Sequence, residues 1–250
     1  MPTIIRAESP TGFYHIMQRG VGKQIIFEDD FDYKVYLSKI SSELKRHPVA
    51  IIAYCLMDNH VHMILQSENP VYISRFMQKI GTSYAKYYNG KYDHSGHVFQ
   101  NKYKSKTIKD ERYLFACIRY IHNNPVEAGI SSQATYKWSS YSEYILKRGI
   151  CNREILLSML GESVDFVKFS LIKDKDEFDY ISIRNKNATY DDGLRIIGDC
   201  LGIECNDATF VKRLRKSERD RVIHSMKEYG LTNRQIEHMT GISRSIVHRA

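Results

Sequence analysis

A chain of 250 residues with 42% hydrophobic and 26% charged residues can bury the core of one substantial domain and a smaller one, which sets disorder aside. Lys and Arg number 37 against 29 acidic residues, and the net charge of +8 points to a polyanionic partner, because these side chains displace counterions from phosphates. No run approaches the ~18 apolar residues of a membrane span, and MPTIIRAESP lacks the apolar stretch of a signal peptide. The five cysteines, at 55, 117, 151, 200 and 205, show no CxxC spacing and suit a reducing compartment, so a cytoplasmic protein is expected.

The first predicted strand runs from Gly12 to Gln18 and closes at the turn signal Arg19-Gly20. A helix follows over Phe31 to Arg46, with Tyr33, Tyr36, Leu37, Ile40 and Leu44 on its apolar face. His47-Pro48 stops it, since a residue before proline is pushed out of the helical region. Val49 to Met57 is the longest apolar run and reads as a buried strand; Asp58-Asn59 turns the chain, and His60 to Gln66 returns as its neighbour. Ile73, Phe76, Met77, Ile80, Tyr84 and Tyr87 fall at helical spacing within Val71 to Tyr88. Val98 to Ile108 holds a basic loop leading into a last strand. Asp110 is placed to cap a helix from Glu111 to Asn124, which Pro125 ends or kinks. This order is ferredoxin-like with an extra helix: an α+β fold, an antiparallel sheet with helices on one face.

The expected organisation is a first domain over 1–145, a helical connecting region over 146–192 and a small all-α domain over 193–250. From Asp207 to Ala250 ten Lys/Arg face five acidic residues, so more than half of the excess charge sits there. Leu231 to Arg249 reads as a helix-turn-helix, in which Thr232 caps the first helix, Gly241 makes the turn and Ser243 opens the second. Ile236, Met239, Ile242, Ile246 and Val247 form its apolar face; Arg244, Ser245, His248 and Arg249 would face a DNA major groove. A helical hairpin that binds no DNA is the alternative.

His60 and His62 are two apart in a strand, so both rings project from one face of the sheet and can hold one metal ion. Two unrelated histidines are the alternative, but the pair follows the most buried strand, a costly place for polar rings without a task. A third ligand is needed. Tyr120 and Asn124 are four apart and share a helical face. A carboxamide oxygen suits Mg²⁺ or Mn²⁺, whereas zinc would draw on His94 and His97 in the loop HSGH. Of the eighteen tyrosines only Tyr229 shares the spacing to an asparagine, Asn233, and Gly230 breaks the helix between them. Tyr120 is therefore the candidate nucleophile, against the alternative of an aromatic that docks the helix on the sheet.

AYCLMDNHVHMIL at 53–65 and RYIHNNPVEAGI at 119–130 resemble the HUH-superfamily single-tyrosine transposases, the insertion-sequence-200-like group that includes the REP-associated tyrosine transposases. FYHIMQRG at 13–20, GHVFQNKYKSK at 96–106 and WSSY at 138–141 are similar to further signatures of that group, so the resemblance spans roughly the first 145 residues. It implies a ferredoxin-like catalytic core, with His60 and His62 as metal ligands, Asn124 as the third, polar ligand and Tyr120 as nucleophile. Glu127 stands where many relatives are basic, and Asp58 where a proline or small residue is frequent; both are expected to act on DNA affinity locally.

Such a site would cut single-stranded or hairpin DNA. Attack by Tyr120 on phosphorus leaves a 5′-phosphotyrosine and a free 3′-hydroxyl, and a second 3′-hydroxyl can reverse the step. A tyrosine pKa of ~10 means its proton needs help to leave, and His122 lies two residues round the helix. Phosphate contacts are expected from Arg19, Lys102, Lys104, Lys106 and Lys109, the first three lysines lining one side of an extended chain. A solvated edge strand is the plainer reading of those lysines. An active transposase is the main expectation; a non-enzymatic DNA-binding regulator and a nuclease using water are the others. A homodimer, common in the wider family, is left open.

Overall fold

The sheet is built on β1 (Phe13–Arg19) and β3 (His60–Gln66), antiparallel from Phe13↔Gln66 to Arg19↔His60. The structure is a computed structural model that describes residues 7–161, 165–172, 190–229, 231 and 233–250. β2 (Ala50–Met57) and β4 (Lys104–Thr107) flank the central pair in the order β2-β3-β1-β4, each antiparallel to its neighbour. The apolar run thus becomes an outer strand. It stays buried because residues 138–140 cover its free edge: Leu56 N–H donates to the Trp138 carbonyl (2.9 Å) and Ser140 N–H to that of Tyr54 (2.9 Å).

α1 (Asp30–Leu44) starts at a capping box in which Asp29 accepts from the Phe31 and Asp32 amides. α2 (Pro70–Tyr92) starts at Asn69 with proline in its first turn, and runs four residues beyond the predicted end. Its last turn is held from outside: the Tyr88 hydroxyl donates to the Ile25 carbonyl (3.0 Å), that of Tyr92 to Asp32 (2.6 Å), and Lys91 pairs with Asp29 and Asp32. Both helices meet Gln18 of β1, α1 through the Tyr36 hydroxyl (3.4 Å) and α2 at Gly81.

α3 (Glu111–Glu127) is capped as expected, with Asp110 accepting from the Tyr113 amide (2.7 Å). It passes Pro125 by two residues before Gly129, at φ +62°, turns the chain. Its Tyr120 ring meets His15 and His62, which alternate with Gln18 and so lie on the opposite face of the sheet. The fold is the expected α+β, ferredoxin-like sheet, with α1 and α2 on one face and α3 added on the other.

α4 (Tyr141–Leu146) clusters with the sheet, and so do α5 (Arg153–Leu160) and α6 (Phe166–Leu171), which fall in the expected connecting region over 146–192. Asn152 N–H donates to the Ile51 carbonyl (2.8 Å), and Phe166 stacks on Tyr144 at 4.4 Å. The described chain forms two compact units: residues up to 124 with those from 133 to 172, and residues 125–132 with those from 190 onward. The second holds α7 (Tyr190–Leu201), α8 (Lys216–Tyr229), α9 (Asn233–Thr240) and α10 (Arg244–Arg249) around Ile197, Val222, Ile223, Met226, Ile236 and Val247. Gly241, at φ +68°, turns the chain between α9 and α10, and Ser243 precedes α10 without a side-chain cap. The expectations for Gly230, Thr232 and most of the acidic stretch 162–192 fall outside the described residues.

The end of β1 is sterically exacting. A Cβ on Gly20 would stand 2.3 Å from the Gln24 carbonyl oxygen and 2.9 Å from Ile26 Cγ2. Gly20→Ala is therefore expected to cost about 1–3 kcal/mol, read as a lower urea midpoint at constant slope. A stability equal to wild type would show that this turn yields without cost.

Candidate active site

Antiparallel register decides which side chains share the face beneath α3. Arg19 stands opposite His60, Met17 opposite His62 and Lys104, and His15 opposite Lys106. One face therefore carries His60 and His62 on β3, His15 and Arg19 on β1, and Lys104 and Lys106 on β4. α3 lies across it and brings Tyr120 and Asn124, one helical turn apart, to the two histidines.

The contacts are close. The His62 ring lies 5.0 Å from that of His60, 5.1 Å from His15 and 5.8 Å, edge-on, from Tyr120. His60 Nδ1 sits 2.7 Å from Asn59 Oδ1, and its ring also hydrogen-bonds the Asn124 side chain. Asn124 spends its amide nitrogen on the Tyr120 carbonyl (2.9 Å), which leaves its oxygen for the site. His62 Nδ1 is 2.9 Å from His15 Nε2. His62 Nε2 is buried and has no hydrogen-bond partner among the described residues.

Burial holds these imidazoles neutral. It lowers His62 to about 3 and pushes His15 and His60 well below the usual histidine range. Lys106 adds to the effect on His15 and Arg19 to that on His60, and repulsion between neighbouring rings further disfavours protonating either beside a protonated His62. Neutral rings offer lone pairs, and a buried nitrogen without a partner is the feature a metal ligand would show. His60, His62 and the Asn124 oxygen thus fit a cation of the Mg²⁺ or Mn²⁺ kind.

The other expected positions divide. Arg19 lies beside His60, its Nε and Nη2 shielded and without partners among the described residues. Lys104 and Lys106 share the site face, but β4 begins at Lys104, so Lys102 and Lys109 fall outside it and stand exposed. The buried Tyr103, its hydroxyl 3.0 Å from Ser74 Oγ, interrupts the track. His122 does not face Tyr120; its Nε2 is 2.8 Å from Ser140 Oγ, among Tyr141, Tyr144 and Phe166. His94 is bound to Asn89 and His97 is exposed in its loop. In the second unit Ser245, His248 and Arg249 are exposed, whereas Arg244 is turned back onto Glu237 (3.1 Å). His15 was not singled out in the sequence. A lone histidine between Tyr14 and Ile16 looks like packing, although its even spacing from Met17 and Arg19 put it on their face.

A face of neutral histidines is thus crossed by a helix carrying Tyr120 and Asn124. Residues 10–124 match the family described as "Transposase IS200 like". The match includes His60, His62, Tyr120 and Asn124. Among solved structures, a REP-associated tyrosine transposase bound to a REP hairpin is similar, with a TM-score of 0.52 at 15% identity, over 72% of this chain and 96% of that one. That likeness is one of fold. No curated protein matches the chain. No helix among the described residues is long and apolar enough to cross a membrane.

The buried histidines also set a pH dependence. His62 and His122, both near 3 in the fold against 6.5 unperturbed, take up protons more readily when unfolded. The stability of their neutral forms is present above about pH 6.5 and lost as pH falls toward 3. Between about pH 7 and about pH 5 each histidine should remove about 2 kcal/mol, and His122→Phe should flatten the dependence by its own share. Urea midpoints across that range check it; a stability independent of pH would contradict the burial argument.

Proposed function

We propose that this chain is a metal-dependent tyrosine transposase that cleaves and rejoins single-stranded or hairpin DNA through a 5′-phosphotyrosine. One observation carries the reading: Tyr120 and the unpartnered His62 Nε2 converge on one face, with Asn124 one turn along the same helix against His60. His60, His62 and Asn124 would hold Mg²⁺ or Mn²⁺. Such an ion, when bound, polarises the phosphate and stabilises charge on the departing 3′ oxygen.

Tyr120 Oη forms the bond to phosphorus as the P–O3′ bond breaks; the phenol loses its proton and the departing oxygen gains one, so a 3′-hydroxyl is released. An incoming 3′-hydroxyl reverses both changes and joins strands without an external energy source. Arg19, Lys104 and Lys106 place positive charge on the same face, where a backbone phosphate must come to rest. The hairpin in the similar solved structure favours a hairpin as the DNA form. In the second unit the exposed Ser245, His248 and Arg249 of the α9–α10 hairpin would touch adjoining duplex.

Incubation of the protein with labelled hairpin DNAs and Mn²⁺, followed by a denaturing gel, is expected to show a covalent adduct. Tyr120→Phe and His62→Ala should abolish it. Cleavage that survives Tyr120→Phe would favour a nuclease using water, and no cleavage of any hairpin would favour a regulator.

Removal of residues 190–250 is expected to weaken hairpin affinity and flatten its salt dependence, by about 0.9 in the slope of log K against log salt for each phosphate that is no longer neutralised. An unchanged affinity and slope would exclude a DNA role for residues 190–250.

A further inference from the structure

We propose that His15 is a positioning residue that fixes His62 in the tautomer a metal ligand requires, an inference resting on the metal-site reading above. His15 Nε2 and His62 Nδ1 lie 2.9 Å apart, a separation that admits one proton between them. A neutral imidazole carries a single N–H. If the shared proton belongs to His15, the proton of His62 sits on Nε2 and blocks that nitrogen as a ligand. If it belongs to His62, Nε2 presents a lone pair to the site and His15 carries its own proton on Nδ1. The two tautomers are therefore coupled, and a cation at His62 Nε2 selects the second.

The surroundings leave the choice to the pair. His62 Nε2 and His15 Nδ1 are both buried and without hydrogen-bond partners among the described residues, so neither outer nitrogen is committed by the protein. His15 is held in place by β1, between β3 and β4, with Lys106 directly opposite. The partner of a metal-bound histidine is often a carboxylate, which adds negative charge. A neutral imidazole orients His62 without that charge, as suits a site that must admit a phosphodiester anion.

Mn²⁺ binding to the full chain, followed by the electron paramagnetic resonance of free Mn²⁺, tests the role without reference to DNA cleavage. His15→Phe is expected to weaken binding ~10–100-fold. His15→Gln, whose amide oxygen can accept from Nδ1–H, should recover part of that loss. Long-range ¹H–¹⁵N spectra of the wild-type protein in Mg²⁺ should show the His62 proton on Nδ1, a readout independent of how the variants fold. Equal Mn²⁺ affinity in wild type and a folded His15→Phe, or a His62 proton on Nε2 in the Mg²⁺-loaded protein, would overturn the inference. Failure of the wild type itself to bind Mn²⁺ would overturn the metal-site reading beneath it, and that result precedes any substitution.

Discussion

The antiparallel register of β1 against β3 is the constraint on which the rest of the candidate site depends. With Arg19 opposite His60 and Met17 opposite His62, period-two alternation gathers the arginine and three histidines on one face. A slip of one residue on either strand would send that strand's polar set among the aromatic side chains of α1 and α2. Two features oppose such a slip. The apolar residues Ile16, Met63 and Leu65 need the helix-covered face, and Gly20 locks the end of β1 through its amide to the Asn59 carbonyl (2.9 Å).

Burying several imidazoles together would be costly if they were charged, and the protein avoids this by keeping them neutral. The same burial that lowers their pKa values leaves nitrogens without partners, which a fold governed by stability alone would tend to satisfy. This is the sense in which the site departs from its own scaffold. Among the described residues, the face under α3 retains unmet nitrogens on His15, Arg19 and His62.

Local rules carried the sequence reading far. The apolar run found β2, turn signals bounded β1 and β3, helical spacing found α1 and α2, a cap and a proline bounded α3, and the pairs His60–His62 and Tyr120–Asn124 were visible as spacings. What escaped depended on contacts distant in sequence. His15 acquires its place from a strand pairing that no local pattern prints, and α2 extends to Tyr92 because residues from α1 hold its last turn. Residues 125–132 join the second unit although they follow Asn124 directly, and Arg244 withdraws to Glu237 across the α9–α10 turn. A single sequence gives residue spacing along an element, but not the partner that element will meet.

Charge distribution explains one departure that the sequence left open. Asp58 stands two residues before His60, where a carboxylate would repel DNA if it faced the site. It does not: Asp58 is buried and accepts the Tyr33 hydroxyl at 2.8 Å, on the side of α1. The buried Asp32 is likewise bound by Tyr87, Tyr92 and Lys91, and Glu143 accepts from the Tyr54 hydroxyl (2.6 Å) at the far edge of β2. These three carboxylates are thus tied up away from the histidine face, while Arg19, Lys104 and Lys106 lie on it. On the proposed function, a diester phosphate approaching Tyr120 would meet neutral imidazoles rimmed by cations, the field that its own charge requires.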